Sequence, residues 1–117
     1  MRCFYHPDYV FPLPDTHPFP MDKFWRAEAM IRAEAGPAVT VEEPEPAPWE
    51  DLRRVHHPDY LERIRTGTLD AVAALKLGLP AGENLLTRSR LETGGTLAAM
   101  DAALTDGLAC NLAGGTH

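Results

Sequence analysis

The order of strand-forming and helix-forming segments in this chain predicts an α/β fold with a parallel sheet and crossover helices. Three short apolar or β-branched segments are separated by helical segments, not by the tight turns that join antiparallel strands. The chain has 117 residues, of which 44% are hydrophobic, enough for one core but not for two domains. We therefore expect a single domain with a thin sheet of three strands.

The first half of the chain alternates strand and helix around proline-rich loops. Aromatic and β-branched residues favour the strands, and the apolar stripe around Phe24 favours the helix, which Gly36 ends. Five prolines between positions 7 and 20 exclude both helix and regular ladder. The predicted elements are a strand at 2–6, a proline-rich loop at 7–20, a helix at 21–35, a strand at 38–42 and a stiff connector at 43–48.

The second half is helical until a final strand. Glycines mark the ends of its helices. The predicted elements are a helical turn at 50–54, helices at 58–65 and 69–77, a turn at 79–82, a long helix from Glu83 or Thr87 to Thr105, and a strand at 108–113. Gly94 and Gly95 lie inside the long helix, where each costs about 1 kcal/mol relative to alanine. The pair predicts either close backbone packing or a break in the helix.

Composition and charge argue against several classes of partner. Eleven Lys and Arg against 17 Asp and Glu give a net charge of −6, which disfavours unaided binding to nucleic acid or to an anionic membrane. No apolar run approaches the roughly 20 residues of a membrane span, and no signal-peptide block is present. Cys3 and Cys110 lack the paired spacing of a zinc finger and are typical of free thiols in a reducing cytoplasm. We therefore expect a cytoplasmic protein without nucleic-acid or membrane partners.

The final strand leads into Gly114, Gly115, Thr116 and His117. In open α/β sheets, sites lie beyond the carboxyl ends of the strands. Glycines there let a ligand approach the backbone, and a histidine transfers protons or binds metal. The alternatives are an ordinary turn with a surface imidazole, or the start of a tag.

A second candidate motif is the sequence His56-His57-Pro58-Asp59-Tyr60. Neighbouring side chains diverge, so the two histidines are not expected to bind one metal ion. One interpretation is that this segment starts a helix whose Tyr60 is buried. In the other, the imidazole of His57 lines the mouth of a pocket and contacts substrate. No His-Glu-x-x-His, Gly-x-Gly-x-x-Gly or nucleophile-elbow motif is present, so no metal site is predicted in this chain.

Taken together, four segments in order resemble the zinc-dependent histone deacetylase superfamily, which includes acetoin-utilisation proteins and acetylpolyamine amidohydrolases. Class IV-like and bacterial members are the most similar. The resemblance covers nearly all of the chain but only about the first third of the family's catalytic domain. The segments are His-Pro-Phe-Pro-Met-Asp-Lys-Phe at 17–24, Val-His-His-Pro-Asp-Tyr-Leu at 55–61, Thr-Gly-Gly-Thr at 93–96 and Asn-Leu-Ala-Gly-Gly-Thr-His at 111–117.

The resemblance implies the N-terminal part of an arginase-like parallel sheet of about eight strands. It also implies zinc-dependent hydrolysis of acetyl-lysine or of an acetylated amine such as a polyamine, in which zinc polarises the acetyl carbonyl and activates water. His117 matches the first histidine of the family's tandem catalytic pair, and Gly114 and Gly115 match the loop beside the active site. The family's zinc ligands, an Asp-x-His pair and a further Asp, are expected beyond position 117.

We therefore interpret residues 1–117 as the N-terminal portion of a histone deacetylase-like domain, truncated within the His-His pair. By itself this chain is expected to bind no catalytic zinc and to be inactive. A non-catalytic fragment that self-associates through an exposed sheet edge is the alternative. A shortened reading frame or a proteolytic product is a third interpretation.

Overall fold

The computed structural model describes residues 1–114, which form a three-stranded sheet and five α-helices, with the longest helix packed against the sheet. Its elements agree in type and order with the sequence-based prediction. They are β1 Arg2–Phe4, α1 Lys23–Glu34, β2 Thr40–Glu42, α2 Trp49–Val55, α3 Pro58–Thr66, α4 Ala71–Leu77, α5 Glu83–Asp106 and β3 Ala109–Asn111. Short 3-10 turns occupy Pro7–Tyr9 and Gly36–Ala38.

The sheet is parallel throughout, with β1 between β2 and β3. In the register, Cys3 lies opposite Val41 on one side and Cys110 on the other. This confirms the predicted α/β class with a parallel sheet. Because all three strands run in one direction, their carboxyl ends meet at a single edge of the sheet.

Each strand is shorter than the sequence predicts, for local reasons. The first strand ends before His6, whose Nδ1 accepts a hydrogen bond from the Asp8 N–H at 3.0 Å and turns the chain. The second begins only at Thr40, because Gly36 adopts a φ of +55° and Pro37, which has no N–H, sits in a 3-10 turn.

Helix α5 runs unbroken through Gly94 and Gly95, so the predicted alternative of a helix break is wrong. Both glycines permit close packing. A Cβ at Gly94 would overlap the carbonyl oxygen of Glu45 in the connector, and a Cβ at Gly95 would overlap the Tyr9 hydroxyl. The two residues therefore allow the connector and the turn after β1 to lie directly against the helix.

The main core lies where α5 meets α1 and the loop after β1. It combines side chains of that loop and of α5 with single residues from α1, α3 and the segment after β3: Tyr9, Phe11, Met21, Phe24, Ile64, Leu85, Leu86, Leu91 and Ala113. The predicted packing of the proline-rich loop is thus confirmed by Tyr9 and Phe11, which are both buried. Within residues 1–114, no helix has both the length and the apolar character needed to cross a membrane.

Candidate functional site

The segment that leaves β3 lies at the carboxyl edge of the sheet, beside the turn that follows β1. Leu112 extends the ladder, since its N–H donates to the Phe4 carbonyl oxygen at 2.9 Å. Ala113 is buried in the core, and Gly114 is exposed, with open space where a side chain would stand. The expected roles of Gly115 and His117 fall outside the described residues and stay predictions.

Asn111, the last residue of β3, holds this exit in place. Its Oδ1 accepts hydrogen bonds from the Tyr9 hydroxyl at 2.8 Å and from the Ala113 N–H at 3.4 Å. Its Nδ2 donates to the Glu92 carbonyl oxygen at 3.0 Å and to Thr96 Oγ1 at 3.2 Å. The side chain therefore joins the strand, the turn after β1 and the middle of α5.

Tyr9 is fully buried at the centre of this arrangement. Burial, together with the negative field of Glu92, raises the pKa of its hydroxyl above the ordinary value for tyrosine. The hydroxyl is accordingly a hydrogen-bond donor throughout the physiological pH range. Because the ring also packs edge-on against Phe24, Tyr9 serves to position its neighbours and is not exposed to solvent as a reacting group would be.

A buried ion pair lies next to Tyr9 on α5. Arg88 Nη2 is 2.5 Å from Glu92 Oε1, and Arg88 Nε donates to the Tyr9 carbonyl oxygen at 2.8 Å. Burial raises the pKa of Glu92 to about 7, an effect that the charges of Arg88 and Lys23 partly offset. Burial also lowers the pKa of Arg88. Among residues 1–114, Glu92 Oε1 has no hydrogen-bond donor of suitable geometry.

Two phenylalanines support the cations of this cluster. The Arg88 guanidinium lies 5.5 Å from the centre of the Phe19 ring and 5.3 Å from that of Phe24. The Lys23 ammonium lies 4.8 Å and 5.0 Å from the same two rings. All four distances are within the range of favourable cation–π interaction. The proline-rich loop and α1 thereby position two positive charges close to Glu92.

A groove of about 310 Å³ opens beside the ion pair. Leu77, Leu79 and Leu85 form its apolar wall, and Glu92 and Thr96 line its polar side. Residue 92 is therefore both a partner of Arg88 and part of the groove surface.

His57 takes a structural position at the start of α3. Its Nδ1 accepts a hydrogen bond from the Asp59 N–H at 3.3 Å, and the side chain is exposed. His6 does the same with Asp8, in the equivalent sequence His-Pro-Asp-Tyr. Within residues 1–114, no hydrogen bond or ion pair joins His57 to the segment after β3. Its predicted contact with substrate stays a prediction.

His17 links two loops through both ring nitrogens. Nδ1 accepts from the Phe19 N–H at 3.2 Å, and Nε2 lies 3.1 Å from the Gly78 carbonyl oxygen, so the neutral ring carries its proton on Nε2. Asp15 and His17 form an Asp-x-His sequence, but the ring has no free nitrogen for a metal. Within residues 1–114 no three His, Cys, Asp or Glu side chains are grouped so as to hold a metal ion.

Sequence reasoning predicted that the loop carrying Tyr9 packs, but it did not identify Tyr9, Arg88, Glu92 or Asn111 as residues of the site. One signal was available for two of them: Arg88 and Glu92 are four residues apart on a helix face that also carries Leu85 and Leu91, and charges on an apolar face are expected to pair. For Tyr9 and Asn111, which are 102 positions apart, no local signal existed.

Comparison with known proteins identifies the family. Residues 17–117 match the histone deacetylase domain. An uncharacterised protein from Picosynechococcus sp. (strain PCC 7002) is 40% identical over 114 residues, which is 97% of this chain and 38% of that protein. The chain thus spans less than half the length of this curated relative. The domain match includes the segment that leaves β3 at the carboxyl edge of the sheet, and the chain belongs to the histone deacetylase family.

Proposed function

We propose that these residues form the N-terminal part of a zinc-dependent deacetylase domain, with an arginase-like sheet, that hydrolyses acetyl-lysine or another acetylated amine. One observation carries the proposal: the family match runs through positions 111–117, and residues 111–114 leave β3 at the carboxyl edge of a parallel sheet. That edge is where open α/β folds bind their substrates.

The residues of this chain would act by position and by proton transfer. His117, as the first histidine of the family pair, would hold or move a proton at its imidazole. Gly114 and Gly115 would let the substrate approach the backbone, with His57 at the mouth of the site. Asn111 would fix the direction in which the chain leaves β3 toward these glycines.

The family's zinc ion is not placed by these residues. Residues 1–114 contain no group of three potential ligands. We propose that the 117-residue chain alone retains no catalytic zinc and does not deacetylate.

Two measurements on the purified chain test this last point. After incubation with zinc and dialysis, we expect less than one zinc per ten chains by atomic emission, and no hydrolysis of a fluorogenic acetyl-lysine substrate. Stoichiometric zinc together with hydrolysis would contradict the proposal.

A chimera tests the activity itself. This chain would replace the matching 114 residues of the Picosynechococcus relative. We expect the chimera to release acetate from an acetyl-lysine peptide or an acetylated polyamine, in a zinc-dependent manner. His117→Ala should lower kcat by about 100-fold or more, whereas His57→Ala should act mainly on KM.

His56→Ala is the matched control, because His56 is an exposed histidine next to His57. It should leave kcat and KM unchanged. A chimera that folds and binds zinc but hydrolyses no acetyl amide would refute the proposed activity.

A further inference from the structure

Cys3 and Cys110 lie side by side on neighbouring strands. The register of β1 and β3 places them directly opposite each other, one position before the pair of Phe4 and Asn111. Opposed residues of this kind point to the same face of the sheet, and neighbouring strands are about 4.8 Å apart. The Cys110 side chain is accordingly a hydrogen-bond partner of the Cys3 thiol. The two thiols are therefore in contact, and both are free.

The surroundings of the two thiols give them different reactivities. Cys3 is fully buried, whereas Cys110 is partly exposed to solvent. Burial raises the pKa of the Cys3 thiol to about 12, and the thiolate is the form of cysteine that reacts with oxidants. Cys110 is therefore the sulfur that a dissolved oxidant reaches first, and Cys3 is the neighbour that can react with the product.

The spacing of the pair suits a disulfide bond. Bridged cysteines have Cα atoms about 4.4–6.8 Å apart, a range that includes the separation of opposed residues on neighbouring strands. On parallel strands the two side chains project alongside each other and not toward each other, so the bond forms with strain. Strained disulfides are readily reduced. The geometry thus favours a bond that forms and breaks over a permanent structural one.

We propose that Cys3 and Cys110 form an oxidation site, at which hydrogen peroxide converts the two free thiols into a reversible disulfide between β1 and β3. In the first step the Cys110 sulfur attacks the peroxide, the O–O bond breaks, and the products are Cys110 sulfenic acid and water. In the second step the Cys3 sulfur attacks the Cys110 sulfur, the S–O bond breaks, and the leaving hydroxide takes the Cys3 proton as water. Contact between the sulfurs offsets the weak acidity of Cys3, because the attack occurs within one molecule. A dithiol reductant restores both thiols and is itself oxidised to a disulfide.

Peroxide treatment of the purified, folded 117-residue chain tests the proposal. We expect mass spectrometry to show the loss of two hydrogen atoms and, after digestion, one peptide pair joined through residues 3 and 110. Dithiothreitol should return both thiols. The bond closes a loop of about 100 residues, so the oxidised chain should melt about 5 °C or more above the reduced chain.

Two single-cysteine variants separate the two steps. Cys110→Ser should leave Cys3 unoxidised at the same peroxide dose, because the remaining thiol is buried. Cys3→Ala should let Cys110 oxidise without a partner, so that dimedone, which reacts with sulfenic acids, labels Cys110. Alanine is the replacement at position 3 because it is also small and apolar, as a buried cysteine is. Circular dichroism of each variant would verify that the fold is retained.

Three results would overturn the proposal: no disulfide in the folded chain after peroxide treatment, a disulfide that joins two chains in place of residues 3 and 110 of one chain, or an oxidised chain whose melting temperature does not rise. The last result would mean that the thiols meet only in a distorted sheet. Faster oxidation of Cys3 in Cys110→Ser than of Cys110 in Cys3→Ala would overturn the order of the two steps.

Discussion

Asn111→Ala tests whether the end of β3 is held by its side chain. The substitution removes the acceptor of the Tyr9 hydroxyl and the donors to the Glu92 carbonyl and to Thr96. Tyr9 is fully buried, and its remaining acceptor, the Leu91 carbonyl oxygen, is 3.4 Å away. An unsatisfied buried hydroxyl costs about 1–3 kcal/mol, and each other hydrogen bond contributes about 1 kcal/mol.

We therefore expect Asn111→Ala to lower the free energy of unfolding by about 2–4 kcal/mol in urea titrations. Asn84→Ala, at an exposed position on α5, is the matched control and should change it by less than about 0.5 kcal/mol. A double-mutant cycle with Tyr9→Phe isolates the bond between the two side chains and should give a coupling of about 1 kcal/mol. Zero coupling at an unchanged m-value would refute the reasoning.

Three further predictions concern single residues. Gly94→Ala should destabilise the fold by about 2 kcal/mol in the same titrations, although alanine favours helix, because its methyl group meets a backbone carbonyl of the connector; unchanged or raised stability would contradict the packing. Burial raises the pKa of Glu92 from 4.5 to about 7. The protonated carboxyl therefore contributes fully to the free energy of unfolding below about pH 4.5, and up to about 3 kcal/mol of that free energy is lost as the pH rises through 7. The urea midpoint of unfolding should fall between pH 5 and pH 8 in the unaltered chain and stay nearly constant in Glu92→Gln. Parallel pH profiles of the two proteins would contradict the role of Glu92. Burial raises the pKa of Cys3 to about 12, so a thiol reagent at pH 8 should label Cys110 first, as mass spectrometry of a peptide digest would show; equal labelling would refute it.

The sequence sufficed for the order and type of the elements because those depend on local patterns. Glycines at 67, 78 and 107 end helices in the structure as predicted, each with positive φ. Strand ends were less predictable: they depend on His6, whose ring captures a backbone N–H, and on the turn at Pro37. Neither effect is visible in hydrophobic periodicity.

The candidate site divides along the same line. The position of Gly114 was predictable from a strand that leads into glycines, and the structure places this residue at the carboxyl edge of the sheet. The residues that hold that edge were not predictable, because Tyr9, Glu92 and Asn111 meet only when β3 pairs with β1 and α5 packs across both. Contacts between distant positions depend on the tertiary fold, which no local pattern encodes.

The two glycines of α5 connect the fold to the site. In a helix interior they cost about 2 kcal/mol together relative to alanine, so their presence requires a compensating contact. Gly95 supplies it by admitting the Tyr9 hydroxyl and the Asn111 side chain, whose Oδ1 would lie only 2.7 Å from a Cβ there. Any side chain at position 95 would displace the same amide that anchors the exit of β3. The direction in which this chain presents Gly114 therefore depends on a glycine in the middle of a helix.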